Sequence, residues 1–294
     1  MPYSDPDSDN FLRKQPRPTK TYHTETYERI SPKHFDGKGK TVLITGGATG
    51  IGKATAQAFA EAGVARLALV QRTASVLQEA KRELQKFSGT EVLTFQASIV
   101  DSARMKEILS ELGKVDILVL SATATHPLVP ALKLPTDEIR QIYTTNVIAS
   151  FDLVHAFLAL PTAGTGPRTI INITSGSAQI TIPNQVGYGS SKAAFAQVMQ
   201  HFASEVKAEE VRLFNLHPGA IWTPLVQGAG IPEEALVWED VKLPAHFCTW
   251  LAGSEAGFLH GRFLWAQWDV DELLLLKEKV AADPSLLTLG LVQH

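Results

Sequence analysis

From Thr41 onward, short runs of apolar and β-branched residues alternate with segments whose apolar residues recur at helical spacing. This alternation is typical of a parallel sheet whose two faces are both covered by helices. Strands are predicted at 41–45, 66–70, 91–95, 116–121, 169–174, 211–216 and 262–266. Helices are predicted at 51–62, 75–87, 102–112, 136–160, 188–207 and 240–252. The pattern therefore predicts an α/β fold with a doubly wound, seven-stranded parallel sheet, in which ligands bind beyond the carboxyl ends of the strands.

The two ends of the chain depart from this pattern and leave residues 38–268 as the predicted domain. Residues 1–37 are polar, lack the apolar stretch of a secretory signal, and are predicted to form a partly extended or disordered arm. Three apolar side chains are candidates for docking this arm on a neighbouring surface: Tyr22, Tyr27 and Ile30. Residues 269–294 form a tail with helix-like apolar spacing and a leucine-rich end. The tail is expected to cover the substrate mouth, a partner subunit or the chain's own core.

Composition narrows the class of partner. The 294 residues are 45% hydrophobic and carry a net charge of −3, which provides no general field for nucleic acid or an anionic membrane. The apolar runs are too short to cross a bilayer. The chain has a single cysteine, Cys248, which excludes an internal disulfide and favours a reducing compartment. The expected location is the cytoplasm. Without a CxxC or HExxH pattern no metal site is predicted, and a small-molecule substrate is the expected partner.

The first predicted strand leads into a glycine-rich turn, "TGGATGIG", which opens a predicted helix. Glycines in such a turn allow the backbone to approach a pyrophosphate that lies at the positive end of the helix dipole. A glycine turn without a ligand is the alternative. The candidate cofactor-binding residues of this turn are Gly46, Thr49, Gly50, Ile51 and Gly52.

The turn after the second strand, "VQRTAS", indicates which nucleotide binds. An acid at this point would hydrogen-bond a ribose 2′-hydroxyl and repel a 2′-phosphate, whereas here Gln71 is followed by Arg72 and Thr73. The charge favours NADP over NAD, with Arg72 and Thr73 at the phosphate. Arg72 as a solvated surface charge is the alternative.

Tyr188 and Lys192 are four residues apart in a predicted helix and therefore share one face. A nearby ammonium favours the phenolate, so the pair predicts a tyrosine with a lowered pKa that acts as a general acid and base. Ser175 follows the fifth strand, where its hydroxyl would share a substrate carbonyl oxygen with the tyrosine. An ordinary tyrosine beside a solvated lysine, and a serine that caps a turn, are the alternatives.

These segments, in this order, resemble the short-chain dehydrogenase/reductase family: "TGGATGIG", "TTNVIASF", "INITS", "YGSSK" and "NLHPGAIWTP". The resemblance covers about residues 38–266, implies a Rossmann-like fold, and extends in the tail to fungal members. It implies that Tyr188 is the catalytic acid/base, that Lys192 lowers its pKa and binds the nicotinamide ribose, and that Ser175 orients the substrate. It further implies that Asn146 holds a water molecule that connects the lysine to solvent. The residues at the nicotinamide end would be Pro218, Gly219, Ile221 and Thr223.

Two positions depart from the family pattern. The family's NNAG after the fourth strand is "LSAT" here, residues 120–123, without the asparagines and the glycine near the adenine ribose. Ser98 stands where the family usually has an acid that reaches the adenine, and it is the candidate adenine-side residue here.

The turns after strands four, five and six supply the expected substrate pocket, and they are mostly apolar. The candidate pocket residues are Ile180, Ile182, Trp222, Leu225, Val226 and Trp238. Packing of these side chains within a lid is the alternative.

The expected function is an NADP-dependent carbonyl reductase or alcohol dehydrogenase of specialised metabolism, acting on a medium-sized, largely apolar ketone or alcohol. Two other functions fit the same residues: an isomerase or cyclase that uses Tyr188 without net hydride transfer, and a non-catalytic nucleotide sensor.

The helices predicted at 136–160 and 188–207 carry more apolar residues than one buried face needs. In related enzymes these two helices pair across a two-fold axis. A homodimer or homotetramer is therefore expected, and a monomer covered by the arm or the tail is the alternative.

Overall fold

A computed structural model of the protein describes residues 17–161 and 166–290. Its seven strands form one parallel sheet in the order β3-β2-β1-β4-β5-β6-β7. The strands are β1 Thr41–Thr45, β2 Arg66–Gln71, β3 Glu91–Gln96, β4 Ile117–Leu120, β5 Arg168–Ile173, β6 Val211–His217 and β7 Phe263–Trp265. The order reverses direction between β1 and β4, which is the point where a doubly wound sheet binds its ligand. The predicted fold class is confirmed.

Helices cover both faces of the sheet. They are α1 Gly50–Glu61, α2 Ala74–Leu84, α3 Ser102–Leu112, α4 Thr136–Tyr143, α5 Ala149–Leu158, α6 Val186–Glu205, α7 Pro224–Gly228, α8 Lys242–Ala252, α9 Val270–Leu274 and α10 Lys277–Ala282. Side chains of a strand alternate between two cores, so Val42 and Ile44 of β1 face one core while Leu43 faces the other. Helices α1, α2 and α8 contribute to the first core, and α3, α5 and α6 contribute most of the helical residues of the second. Burial of both faces explains why the strands are rich in apolar residues on both faces rather than on one.

The helix predicted at 136–160 is interrupted. A π-helical turn at Thr144–Ile148 separates α4 from α5. A π turn accommodates one extra residue without changing the apolar spacing much, so the sequence pattern does not distinguish it from a continuous helix. Such turns occur frequently at functional sites.

The described part of the predicted arm, residues 17–37, lies against its own chain. Tyr22 forms an antiparallel bridge with Trp268, and Ile30 is 1% exposed. His23 Nε2 lies 2.9 Å from Asp269 Oδ2, which joins this segment to the start of the tail. Residues 1–16 of the arm and 291–294 of the tail lie outside the described residues.

The tail packs on the chain's own first core and on helix α6. Leu289 O accepts hydrogen bonds from Gln197 Nε2 and Gln200 Nε2, and Leu287 O accepts one from Phe263 N. Among residues 17–161 and 166–290, no helix combines the length and apolarity that crossing a bilayer requires.

Candidate active site

A cleft of about 710 Å³ opens at the carboxyl ends of the strands. Its wall includes eleven of the residues predicted from the sequence to bind cofactor or substrate: Gly46, Thr49, Gly50, Ile51, Arg72, Ser98, Tyr188, Lys192, Pro218, Thr223 and Leu225. The cleft thus joins the glycine-rich turn at one side of the sheet to the tyrosine and lysine of α6 at the other.

The glycine turn follows β1 and begins helix α1 inside the cleft. Gly46 has a φ of +65°, and a Cβ atom at this position would lie 2.9 Å from Ala122 N. A Cβ atom at Gly52 would lie 2.3 Å from Gly46 O, so Gly52 packs the helix against the turn outside the cleft wall. Both positions exclude other residues, and they direct the amino end of the 12-residue α1 towards the cleft.

Thr45 stabilises the segment after β4 that lacks the family's asparagines. Its Oγ1 accepts hydrogen bonds from Ser121 N at 3.1 Å and from Ala122 N at 3.2 Å. Thr45, the last residue of β1, therefore holds the "LSAT" backbone beside the glycine turn. The role of Thr45 was not predicted from the sequence, in which its only signal is a threonine at the end of β1.

The residues expected at the adenine side lie at the far end of the cleft. Arg72 is exposed there, and its backbone N donates to Gln71 Oε1 at 3.0 Å. Ser98 also lines the cleft, and its Oγ accepts a 3.4 Å hydrogen bond from Val100 N. Thr73 precedes α2 and lies outside the cleft wall.

Tyr188 and Lys192 lie on one face of α6, as their spacing predicts. Lys192 Nζ is 5.7 Å from the Tyr188 ring centroid and donates a 2.9 Å hydrogen bond to Ile173 O. The Ser175 and Tyr188 side chains are hydrogen-bonded to each other. Ser175 also caps a short 3₁₀ turn, because its Oγ accepts from Ser177 N at 3.2 Å. Ser175 therefore caps a turn, as one interpretation of the sequence predicts, and its side chain also bonds Tyr188.

The electrostatics of this pair differ from the prediction. Burial raises the pKa of Tyr188 to about 12, and the hydrogen bond from Ser175 offsets this only in part. Burial also lowers the pKa of Lys192 to about 8. The prediction of a lowered tyrosine pKa is wrong here, because desolvation of the phenolate outweighs the neighbouring ammonium, which is bonded to the carbonyl of Ile173. Tyr188 keeps its proton at neutral pH.

Asn146 lies in the π turn, is 4% exposed and does not line the cleft. Its Oδ1 accepts from Ala124 N at 2.7 Å and from Thr123 Oγ1 at 3.0 Å. Its Nδ2 donates to Ala124 O and to Ser191 Oγ, both at 2.9 Å. The side chain thus joins the segment after β4 to α6 at the residue before Lys192.

The segment after β6 forms the remaining wall. Pro218 and Thr223 line the cleft, whereas Gly219 and the buried Ile221 do not. Thr223 Oγ1 accepts a 3.4 Å hydrogen bond from Val226 N and begins the short helix α7. Only part of this predicted nicotinamide-end set therefore faces the cleft.

The predicted substrate residues separate into three groups. Leu225 lines the cleft. The rings of Trp222 and Trp238 contact each other with centroids 5.0 Å apart, and Val226 is half-buried outside the cleft wall, so these three fit the alternative of packing within the lid. Ile180 is 9% exposed and belongs to the first core, and the half-buried Ile182 packs against that core. Neither Ile180 nor Ile182 lines the cleft, and their assignment to the substrate pocket stays a prediction.

Two buried histidines contact the backbone next to Ser175 and Tyr188. No role was predicted for either of them from the sequence. His217 Nδ1 accepts from Gly176 N at 2.8 Å, and His126 Nε2 accepts from Gly187 N at 3.2 Å. Within the described part of the chain, no group of three or more His, Cys, Asp or Glu side chains is placed to hold a metal ion.

Comparison with known proteins agrees with this geometry. Residues 40–233 match the family described as short chain dehydrogenase. The chain is 52% identical to the short chain dehydrogenase/reductase nsrO of Aspergillus novofumigatus, over 96% of this chain and 99% of that protein. It is 51% identical to AacuD of Aspergillus aculeatus, over 94% of this chain and 97% of that protein. A Pseudomonas syringae structure described as a short chain dehydrogenase superposes with a TM-score of 0.73 and 28% identity, covering 79% of this chain and 96% of that one.

Proposed function

The chain belongs to the short-chain dehydrogenase/reductase family, and we propose that it is an NADP(H)-dependent carbonyl reductase or alcohol dehydrogenase. The observation that supports this most is the hydrogen bond between Ser175 and Tyr188, because Tyr188 lines a cleft that also contains a glycine turn at a helix start. The substrate is a medium-sized, largely apolar ketone or alcohol. The proposal includes a place in specialised metabolism, and two relatives at 52% and 51% identity are fungal short chain dehydrogenases/reductases.

The residues of the cleft fit a dinucleotide. Gly46 and Gly50 line the cleft without a Cβ atom, which allows the close backbone approach that a pyrophosphate needs, and the amino end of α1 supplies N–H donors. Arg72 is the exposed cation at the cleft end expected for the adenine ribose, and Gln71 there carries no charge that would repel a 2′-phosphate. This charge pattern supports NADP rather than NAD.

A bound NADPH would supply the hydride that forms the new C–H bond of the alcohol. The Ser175 and Tyr188 hydroxyls, which are hydrogen-bonded to each other, would both bind the substrate oxygen. Tyr188 Oη gives its proton to that oxygen as the carbonyl π bond breaks, which leaves a phenolate. A tyrosine that is fully protonated at neutral pH suits this direction of the reaction. The Lys192 ammonium, 5.7 Å from the ring centroid, stabilises the phenolate until solvent returns the proton.

The test of this function is a panel of apolar ketones offered with NADPH while the nicotinamide absorbance is followed. Loss of absorbance with formation of the matching alcohol is the expected result. Conversion of a substrate without any change in absorbance would instead identify an isomerase or cyclase. Nucleotide binding without conversion of any compound would identify a sensor.

Arg72→Asp is expected to weaken NADPH binding about 10- to 100-fold and to leave NADH binding nearly unchanged, because charge-assisted contacts to phosphate are worth about 1.5–3 kcal/mol. Dissociation constants for both nucleotides, measured by nicotinamide fluorescence, check this. Arg82→Asp makes the same charge change on the exposed side of α2, away from the cleft, and serves as the control. Equal losses for the two nucleotides would show that Arg72 faces solvent when NADPH is bound.

The proposed assembly is a homodimer or homotetramer in the cytoplasm. On α5, Phe151 is 42% exposed, and its ring lies 5.3 Å from that of Phe202 on α6; Ile148 of the adjoining π turn is 55% exposed. The tail as far as residue 290 contacts α6 at Gln197 and Gln200, and this part of it leaves the apolar surface open. A second copy of the chain would bury it.

Light scattering at micromolar concentration is expected to give a mass of two or four chains. Phe151→Glu is expected to lower the mass to that of one chain, because it places a charge in the apolar contact. Leu275→Glu, at an 81% exposed position in the tail, is the control and should leave the mass unchanged. A wild-type mass of one chain would contradict the proposed assembly.

A further inference from the structure

The backbone that follows Ser175 is held by a buried histidine at the end of β6. His217 is 7% exposed, and its Nδ1 accepts a 2.8 Å hydrogen bond from Gly176 N. The ring lies directly on Gly176, where a Cβ atom would be 3.1 Å from Nε2. Nδ1 accepts a hydrogen bond only while it carries no proton. Burial lowers the pKa of His217 to about 3, so the ring is neutral across the physiological range.

The other end of the same turn is held from β7. Trp265 packs edge-on against the His217 ring with centroids 4.5 Å apart. Its Nε1 donates a 2.7 Å hydrogen bond to Gln179 Oε1, and Gln179 immediately follows the 3₁₀ turn Gly176–Ala178 that Ser175 caps. Two neighbouring strands therefore fix both ends of the turn that carries the serine.

A second buried histidine holds the backbone before Tyr188. His126, 2% exposed, lies in the segment between β4 and α4. Its Nδ1 lies 2.7 Å from Pro127 O, which can only accept, so Nδ1 carries the proton. Nε2 is then free to accept the 3.2 Å hydrogen bond from Gly187 N. Gly187 is in the first turn of α6, where backbone N–H groups have no partner within the helix.

We infer that His217 and His126 are positioning residues that set the Ser175 and Tyr188 hydroxyls relative to each other. Each does so through an unprotonated ring nitrogen that accepts the backbone N–H next to one of these two residues. Neither histidine lines the cleft, and each contacts the backbone beside Ser175 or Tyr188 instead. The effect on turnover rests on the proposed reductase function. A misplacement of about 1 Å between reacting groups costs as much as 10²-fold in rate, which makes the positions of these two N–H groups consequential.

The test uses amide side chains matched to each ring nitrogen. The Asn amide lies about where the Nδ1 of a histidine lies, and the Gln amide reaches about as far as Nε2. His217→Asn and His126→Gln therefore keep the acceptor in place, whereas His217→Gln and His126→Asn misplace it. His217→Leu and His126→Leu remove it. The Leu variants and the misplaced amides are expected to lower kcat for ketone reduction about 10- to 100-fold while NADPH affinity stays within about threefold. The matched amides are expected to recover most of kcat.

Equal kcat values for matched and misplaced amides would overturn the inference, as would unchanged kcat in Leu variants that fold. If the Leu variants fail to fold, the comparison of the amides decides. Amide hydrogen exchange supplies a readout that needs no turnover, since loss of the acceptor is expected to speed exchange at Gly176 or Gly187. If the wild type reduces no ketone, the proposed function fails, and exchange alone then decides: equal exchange rates in matched and misplaced amides would refute the positioning role.

Discussion

Tyr188→Phe is expected to lower turnover in ketone reduction by about 10² to 10⁴-fold, because the phenol is the proton donor and general acid catalysis contributes an effect of this size. The side chain is half-buried, so phenylalanine fills the same space, and the fold and NADPH affinity should be retained. The measurement is steady-state reduction of an active ketone together with the dissociation constant for NADPH. Tyr143→Phe removes a phenol hydroxyl from α4, outside the cleft wall, and is the matched control. Activity close to the wild-type value in Tyr188→Phe would reject the assignment of this residue.

Lys192→Met is expected to lower both turnover and NADPH affinity, by roughly 10- to 100-fold each, because hydrogen bonds made by charged groups contribute about 1.5–3 kcal/mol. The ammonium is assigned two roles, contact with the nicotinamide ribose and stabilisation of the Tyr188 phenolate. Methionine keeps the length of the side chain but leaves Ile173 O without its 2.9 Å donor, so some loss of stability is also expected.

Thermal unfolding of Lys192→Met beside its kinetics separates these effects. Lys81→Met removes an ammonium from α2, outside the cleft wall, and controls for the loss of a charge. A variant that unfolds more easily but keeps wild-type turnover and NADPH affinity would assign Lys192 a structural role alone.

The strands were predictable because both faces of the sheet are buried. A strand such as Thr41–Thr45 is then made of apolar and β-branched residues along its whole length, which makes its limits visible in the sequence. The interruption at Thr144–Ile148 was not predictable, because a single π turn leaves the apolar spacing nearly unchanged. The contacts of residues 17–37 with the tail join parts of the chain that are distant in sequence, and no local pattern reports such pairings.

The site was predictable as far as short spacings define it. The four-residue separation of Tyr188 and Lys192 placed both on one helix face, and the strand before the glycine turn placed the turn in the cleft. The pKa of Tyr188 was not predictable, because it depends on desolvation by residues from several elements. The burial of Ile180 in the first core was also not predictable, since an apolar residue in a loop after a strand faces either the ligand or the core.

The positions of His126 and His217 also depend on tertiary contacts. His217 lies 41 residues from Gly176 in sequence, and His126 lies 61 residues from Gly187. A lone histidine before "PG" or inside "THPL" carries no signal for these partners. Only the parallel arrangement of strands, which brings the ends of β5 and β6 side by side, places the imidazole of His217 on the backbone next to Ser175.

The most direct measurement for the reductase function uses NADPH that carries deuterium at the transferable C4 position of the nicotinamide. The wild-type enzyme is incubated with a ketone that it consumes, and the alcohol is analysed by mass spectrometry and NMR. The account predicts one deuterium in each product molecule, bound to the carbinol carbon, with one NADPH oxidised for each alcohol formed. Product without deuterium, or conversion without oxidation of NADPH, would contradict it.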